Sequence, residues 1–475
     1  MDPILNVISF LGIFGLCAIA WLGSENRKVI PWNVLIFGIG LQLVIGLFVF
    51  VVGSQAVEII NTLLNPVLDA SEAGARFLFG GGSSIIVPDP GRMVGPGPAG
   101  RWLARTLGDP YVGIPGDRLG PDNLSVGYIL AFRALPQVIF FAGLVSLLYR
   151  LNVIQPIVKA FAWLFQRTMK ISGAESLSGA ANIFVGIESA LAVKPFLPKM
   201  TRSELCAILT SCFGSIASSV LALYAGLLRP QFPSITGHLV SASILTIPAC
   251  FVVSKLLVPE TGEPETMGSI PEEKEDGSTP KLNPVDSLIV GALDGVKMAV
   301  AIAAVLIAIL GLLELVDMIF GFFGTLSESP YTLIRTIGGV LQYVTIPNIL
   351  GVLFFPLTFL TGVSLDPNEL WQSSTIIGRR LFETSIPPYL SLAGLSAQQV
   401  LSPRALIIVS YVLCGFAHFA SYGIFVGGLS ALVPERRGEV SALGFKALWG
   451  ATLATLMTGA VAGVFYFGQP SALGL

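Results

Sequence analysis

The chain has 475 residues, 53% of them hydrophobic and only 12% charged, and a mean hydropathy of +0.79. Soluble domains carry about a quarter charged residues, so this chain lacks the charge to coat a water-exposed surface and reads as a membrane protein. Its net charge of −2 argues against a nucleic-acid binder, its two histidines are too few for a histidine-rich metal site, and Cys17, Cys206, Cys212, Cys250 and Cys414 all sit in apolar runs without ligand-like spacing.

A spanning helix needs about 20 mostly apolar residues. The first such run, Ile4–Gly23, has no basic leader and no small-residue cleavage pattern, so it reads as a retained span and not a signal peptide. Further spans are expected at 33–53, 127–149, 204–228, 235–258, 287–318, 404–431 and 438–467. The segment 320–365 is apolar but broken by Ser-Pro and Ile-Pro, which reads as an interfacial helix followed by a re-entrant or scaffold helix. The short loops carry Arg27 and Lys28, then Arg150, Lys159, Arg167 and Lys170, then Arg436 and Arg437. The count of spans puts all three groups on one side, the cytoplasmic side of a multi-pass cell inner-membrane protein, with both termini outside. Residues 81–124 are rich in Pro and Gly, and residues 259–284 are acidic and Pro-rich; both read as solvated loops.

An internal repeat is the strongest pattern. Glu188-Ser, Lys194-Pro-Phe-Leu and Thr201-Arg-Ser lead into an apolar run ending Cys212-Phe-Gly-Ser-Ile-Ala-Ser. Glu383-Thr-Ser, Pro387-Pro-Tyr-Leu and Ser402-Pro-Arg lead into another, ending Cys414-Gly-Phe-Ala-His-Phe-Ala-Ser. Pro195 and Pro388 cannot continue a helix and fit two hairpins that enter the membrane and turn back, with Arg379 and Arg380 marking the outer side and Lys194, Lys199 and Arg202 the inner. Hairpins entering from opposite faces make an inverted repeat, whose broken helices meet near the midplane. Glu188 and Glu383 then lie where a charge costs about 3 kcal/mol on insertion scales: each is either a binding group or a carboxylate paired structurally, Glu383 with Arg379. Glu175 caps the hairpin or binds across it. Ser211, Ser215, Ser218 and Ser219 crowd one span, and His418 and Ser421 another. Their hydroxyls either bond the preceding turn or, beside Gly214 and Gly415, line unwound segments whose freed carbonyls suit a cation. His418 is either a packed core residue or a ligand contact.

Several stretches are similar to a known family. Ile171-Ser-Gly-Ala-Glu-Ser-Leu-Ser, Asn182-Ile-Phe-Val-Gly and Met200-Thr-Arg-Ser-Glu-Leu resemble the first hairpin region of concentrative nucleoside transporters. Tyr411-Val-Leu-Cys-Gly-Phe-Ala-His-Phe-Ala-Ser, Ala431-Leu-Val-Pro-Glu-Arg-Arg, Asn26-Arg-Lys-Val-Ile-Pro-Trp and Gly74-Ala-Arg-Phe fit the same family, and the resemblance spans nearly the whole chain except 81–124. It implies an all-α membrane protein of about eight transmembrane helices plus two re-entrant hairpins in an inverted repeat, divided into scaffold and transport domains and assembled as a homotrimer. Its divisions would be N-terminal scaffold helices at 1–80, an extracytoplasmic insert at 81–124, and a first transport half at 125–258 with hairpin 1 at about 172–200. An acidic linker at 259–284, scaffold helices at 285–365 and a second transport half at 366–475 with hairpin 2 at about 368–400 would follow.

The family contacts the base through a Gly-Gln-Thr-Glu motif in hairpin 1, where this chain reads Gly186-Ile187-Glu188, without the Gln and with an apolar residue for the Thr. Aligned on Glu188, sodium-site positions fall at Ser215 and Ile216, and a base-facing position at Val220. Asn182 and Val185 complete the sodium set if the one-residue deletion lies after Gly186. The ribose-contacting pair falls on Thr384 and Ser385, with Glu383 substituting after a shift. An Asn becomes His418, while Phe416 and Ser421 are kept. The resemblance thus implies cation-coupled import of a nucleoside or nucleoside-like solute by alternating access, with no cofactor. Sodium is the expected coupling ion because Asn182 and Ser215 offer hard oxygen donors, with a proton on Glu188 as the alternative. The alternatives in function are a non-transporting receptor or gating protein on the same fold, or a carrier for another solute. An enzyme is not expected: no Ser/His/Asp arrangement, metal set or phosphate loop is present. The partners expected are a small-molecule solute, the lipid bilayer and copies of the chain.

Overall fold

A computed structural model describes residues 3–52, 54–80, 129–270 and 283–474, and the Pro/Gly-rich insert at 81–124 lies outside these. The described residues are helical and include no strand. They form two compact units, one from Met1–Asn61, Asn152–Lys281 and Ala304–Leu475, the other from Thr62–Leu151 and Leu282–Ala303.

Among the described residues, seven helices are long and apolar enough to cross a membrane, or eight if a bent pair is counted as one span. The chain begins with α1 (Pro3–Leu22), α2 (Trp32–Leu47) and α3 (Ser54–Ala75). The last is too polar to be counted as a span, and hydropathy alone did not reveal it. Next come α4 (Leu130–Arg150), α5 (Ile154–Met169), α6 (Gly173–Ala181) and a run of 3₁₀ turns over Ile187–Lys199. Pro195 and Pro198 fall inside that run and prevent it from continuing as an α-helix. The expected span 204–228 is a broken helix, α7 (Arg202–Gly214) and α8 (Ser218–Leu228), followed by α9 (Ile235–Leu257) and α10 (Pro284–Gly324). The Pro-interrupted segment forms α11 (Thr332–Leu341) and α12 (Ile346–Leu360), bent by 67°. Then come α13 (Pro367–Glu383), α14 (Ile386–Ala397), the broken pair α15 (Pro403–Leu413) and α16 (Phe419–Leu432), and α17 (Arg437–Phe465).

In the smaller unit α10 packs on α4 through small residues. A Cβ at Gly295 would stand 2.7 Å from Cα of Ile139, and one at Gly291 2.8 Å from the Ala142 carbonyl oxygen. Such close backbone approach is how helices associate where lipid removes the hydrophobic driving force. Glu72 binds Arg76 at 3.1 Å and Arg133 at 3.0 Å in the same unit.

The larger unit is built around α17, whose second half is almost wholly buried. Two arginines show how the repeats lie along it. Arg202, at the start of α7, binds Glu25 at 2.8 Å, and Glu25 also binds Lys446 in the first part of α17. Arg404, at the start of α15, is buried and donates to the carbonyls of Gly463 (3.0 Å) and Tyr466 (3.2 Å) at the far end of α17, to Ser9 Oγ (3.0 Å) and to the Gly362 carbonyl (2.7 Å). The two broken helices therefore start from opposite ends of a spanning helix, which is the inverted repeat in atomic terms. Among the described residues Arg404 has no carboxylate partner; its fork is satisfied by carbonyls at helix C-termini, where a cation is favoured.

Reciprocal capping boxes start both first-repeat helices: Ser172 with Glu175, and Thr201 with Glu204. Lys255 closes this corner by pairing with Glu175 and, at 3.1 Å, with Glu260. Within 259–284, read as a solvated loop, residues 261–263, 265 and 267–269 are exposed, but one residue is docked. Thr266 is buried, its carbonyl accepts from Gly173 N (3.0 Å), and its hydroxyl accepts from Ala174 N (3.0 Å). These are two of the donors that the first turn of any helix leaves unsatisfied, so a polar, Pro-rich segment finds burial by supplying acceptors.

Candidate functional site

Hairpin 1 comprises α6, the turn at 182–186 and the 3₁₀ run to Lys199. Hairpin 2 comprises α13, the turn at Thr384–Ser385 and α14. Each tip rests on a helix break. The Phe184 carbonyl accepts from both the N–H and the hydroxyl of Ser218, each at 2.9 Å, at the α7–α8 break. Ser385 Oγ donates to the Gly415 carbonyl at 3.0 Å, at the α15–α16 break. The two breaks meet: a Cβ on Gly415 would lie 2.5 Å from the Gly214 carbonyl oxygen.

Asn182 caps the end of α6 and is wholly buried. One end of its amide stands 2.9 Å from the Gly186 carbonyl oxygen, 3.2 Å from that of Val185 and 3.1 Å from the Ser189 hydroxyl. With the NH2 at that end, the two N–H groups of Asn182 are shared among these three oxygens; rotated by half a turn, it brings Oδ1 into an all-oxygen cluster of the kind a hard cation takes. Ser215, on the adjoining break, donates from both N–H (3.1 Å) and Oγ (2.9 Å) to the Ser211 carbonyl, and Ile216 beside it is fully buried. Cys212, one turn earlier, lies 3.6 Å from the Asn182 amide.

Glu188 is not a desolvated charge. It is exposed, and its Oε2 accepts from Gly186 N at 3.0 Å. The pairing of Glu188 with Glu383 in the sequence repeat also fails: Glu188 opens the second arm of its hairpin, whereas Glu383 ends the first arm of the other. Glu383 is buried and binds Arg379 Nε at 2.7 Å through Oε1, while its Oε2 has no partner among the described residues.

Pro387 and Pro388 do not make the turn of hairpin 2. They occupy the first turn of α14, where a missing N–H is harmless. The turn is made by Thr384, a β-branched residue at φ +69°, in the left-handed region that favours glycine. Arg379 and Arg380 likewise do not mark the outer face, because they sit one turn from this tip. Arg380 is buried and donates to the Val412 carbonyl at the end of α15 and to Thr455 Oγ1 at 3.0 Å.

His418 caps α16: its Nδ1 accepts from Ser421 N at 3.2 Å, and the buried Ser421 hydroxyl lies 3.0 Å from the same nitrogen. A ring nitrogen that accepts leaves Nε2 as the protonated one in the neutral ring. Phe416 is half-buried and meets His418 edge-on, with 6.0 Å between ring centroids. Val220 is buried on the first turns of α8.

Residues not anticipated join the tips. Phe425 packs edge-on against Phe213 (5.0 Å) and lies 5.9 Å from Phe416, and a Cβ on Gly186 would stand 3.8 Å from it. Gly428 lets α16 approach Ile187, whose Cγ1 would stand 2.8 Å from a Cβ there. Tyr224 stacks on Tyr389 at 4.5 Å between the two halves of the repeat. Their only mark in the sequence is aromatic or small character on broken helices. A cavity of about 650 Å³ bounded by Gln231, Asp366, Glu369, Gln399 and Ser402 includes none of the tip residues.

This architecture agrees with what is known of other proteins. Residues 11–82 and 238–463 match the family models for the N-terminus and C-terminus of the Na⁺-dependent nucleoside transporters, and residues 131–231 match the nucleoside-recognition model. An uncharacterised transporter of Haemophilus influenzae is 33% identical over 96% of this chain and 97% of its own. Solute carrier family 28 member 3 of Mus musculus is 30% identical over 97% of this chain, which spans 59% of that protein. Among solved structures, that of CNTnw in an inward-facing substrate-bound state superposes with a TM-score of 0.81 at 30% identity, covering 99% of this chain and 100% of that one. A multi-pass helical chain with two tip-to-break hairpins, matched end to end by these relatives, belongs to the concentrative, sodium-dependent nucleoside transporter family.

Proposed function

We propose that the chain is a secondary active importer of a nucleoside or nucleoside-like solute, coupled to sodium and working by alternating access as a homotrimer in the cell inner membrane. The observation that carries the ionic part is Asn182. Its amide reaches the Val185 and Gly186 carbonyls and the Ser189 hydroxyl at 2.9 to 3.2 Å. An amine there satisfies the three oxygens when no ion is bound, and an amide oxygen joins them as ligands when one is. Ser215 and Ile216 supply further oxygens from the break once Ser215 releases Ser211. The site is uncharged, so a monovalent cation enters without first displacing a proton.

The solute lies against the same tips. Glu188, exposed beside Gly186 and Ile187, accepts a donor from the base side, with Val220 as an apolar neighbour. The free Oε2 of Glu383, with Thr384 and Ser385, takes the hydroxyls of the sugar. Phe416, His418 and Ser421 line the second break between them.

The test is uptake by purified protein in proteoliposomes. Replacing external sodium by choline should abolish accumulation, and a protonophore should leave it intact; the opposite pattern overturns the reading in favour of proton coupling. Asn182→Ala should raise the half-saturating sodium concentration by about tenfold, equivalent to about 1.4 kcal/mol.

A further inference from the structure

The ends of the first arms of the two hairpins are corresponding places in the repeat, yet they carry opposite chemistry. Hairpin 1 has Asn182 there, a neutral amide among carbonyl and hydroxyl oxygens. Hairpin 2 has Glu383, a carboxylate whose Oε1 accepts from Arg379 Nε at 2.7 Å. The same guanidinium donates through Nη1 to Ser391 Oγ at 3.1 Å, so it bridges the two arms of the hairpin as a coordinated cation would. We propose that Arg379 is a built-in cation, doing in hairpin 2 what the mobile coupling ion does in hairpin 1, so that this transporter couples through hairpin 1 alone.

Three observations carry this. The Arg379–Glu383 pair lies one turn apart on a single helix, so it needs no second element to form and persists whichever way the transport domain faces. The Glu383 side chain is only 8% exposed, so its charge cannot be left to water, and without Arg379 it would require another positive charge. Arg380, the next residue, forms no ion pair among the described residues and donates to the Val412 carbonyl and Thr455. Val412 ends the half-helix that precedes the second break. Carbonyls at such a break are what a second inorganic cation would seek, and a guanidinium already holds that one. Two fixed guanidiniums against one carboxylate leave the last turn of α13, beside the tip, with a net positive charge, which repels a second ion.

The comparison rests on the sodium reading of Asn182, but the test separates the two. It uses the full chain in proteoliposomes, with uptake measured against sodium concentration and sodium binding measured directly by isotope. Wild type should show a Hill coefficient of about 1, since the coefficient is bounded by the number of coupled sites, and should bind one sodium per chain. Arg379→Gln frees Glu383 and should acquire a second sodium dependence, with the coefficient rising toward about 2. Arg379→Lys should return it to that of wild type, and Arg379→Gln combined with Glu383→Gln, which loses the solute contact of Glu383, should bind one sodium per chain in the isotope measurement. Two sodium ions bound per wild-type chain overturn the proposal even if Arg379→Gln fails to fold. So does a folded Arg379→Gln whose sodium response is unchanged, or a wild type and variant that both ignore sodium. If Asn182→Ala keeps the wild-type sodium response while Arg379→Gln still gains a second dependence, the hairpin 1 assignment fails, and with it coupling through hairpin 1, while the role of Arg379 as the fixed cation of hairpin 2 stands.

Discussion

The closest backbone approach between the two halves of the repeat sits at Gly415, and adding one methyl group there tests the architecture. A Cβ at Gly415 would stand 2.5 Å from the Gly214 carbonyl oxygen and 2.9 Å from Thr455 Cγ2. Neither neighbour yields easily. The oxygen is backbone, and Gly214 is itself pressed against Cys250, whose sulfur a Cβ at Gly214 would overlap. Thr455 is held by the bond it accepts from Arg380. Overpacking of this kind costs about 1–3 kcal/mol. The reduced freedom of alanine in the unfolded chain offsets about 0.4–1 kcal/mol of that. A net loss of about 1–2 kcal/mol is therefore expected for Gly415→Ala, with uptake depressed further because both hairpin tips rest on the breaks that this methyl pushes apart. Gly40→Ala is the control: nothing lies within 4 Å of a Cβ there, so it should leave stability unchanged or slightly raised. The assay is thermal unfolding of purified protein in detergent, paired with proteoliposome uptake. A Gly415→Ala protein that unfolds and transports as wild type does would refute the contact between the breaks.

Two further expectations follow from the same geometry. The Arg202 guanidinium, with help from Lys446, holds the Glu25 carboxyl down to about 2. A depressed carboxylate contributes stability above its unfolded value of about 4.3 and loses it as pH falls toward the folded value. Glu25→Gln should thus cost a constant amount between about pH 5 and 8, about 1 kcal/mol for this partly exposed pair, and nothing near pH 2; a deficit that grows on acidification in thermal melts would reverse the sign. His418→Asn keeps an N-cap for α16, whereas His418→Leu loses it at about 1 kcal/mol. If the ring also touches solute, both should weaken binding in thermal-shift titrations and His418→Asn should favour ordinary nucleosides; equal affinity in wild type and His418→Asn would confine the ring to capping.

Hydropathy, proline placement and the repeat were enough to establish a multi-pass helical protein with two hairpins and broken helices, and the long motifs were enough to name its family. These properties are local: spans follow from runs of apolar residues, breaks from Pro, Gly and Ser, and caps from residues such as Thr201 and Ser402 beside the helices they start. Long-range pairing was not legible. The sequence aligned Glu188 with Glu383 because both are acids followed by hydroxyls, but only the fold shows one exposed at the start of a second arm and the other buried at the end of a first. It placed Arg379 and Arg380 at a membrane face because they are charged, although guanidiniums can be buried wherever carboxylates or helix-end carbonyls receive them. It read 259–284 as a solvated loop, and only the fold shows Thr266 within it satisfying the donors that open α6. For Arg380 and Thr266 the partners lie many residues away in the chain, and a polar side chain shows its place only once the group that satisfies it has been brought alongside.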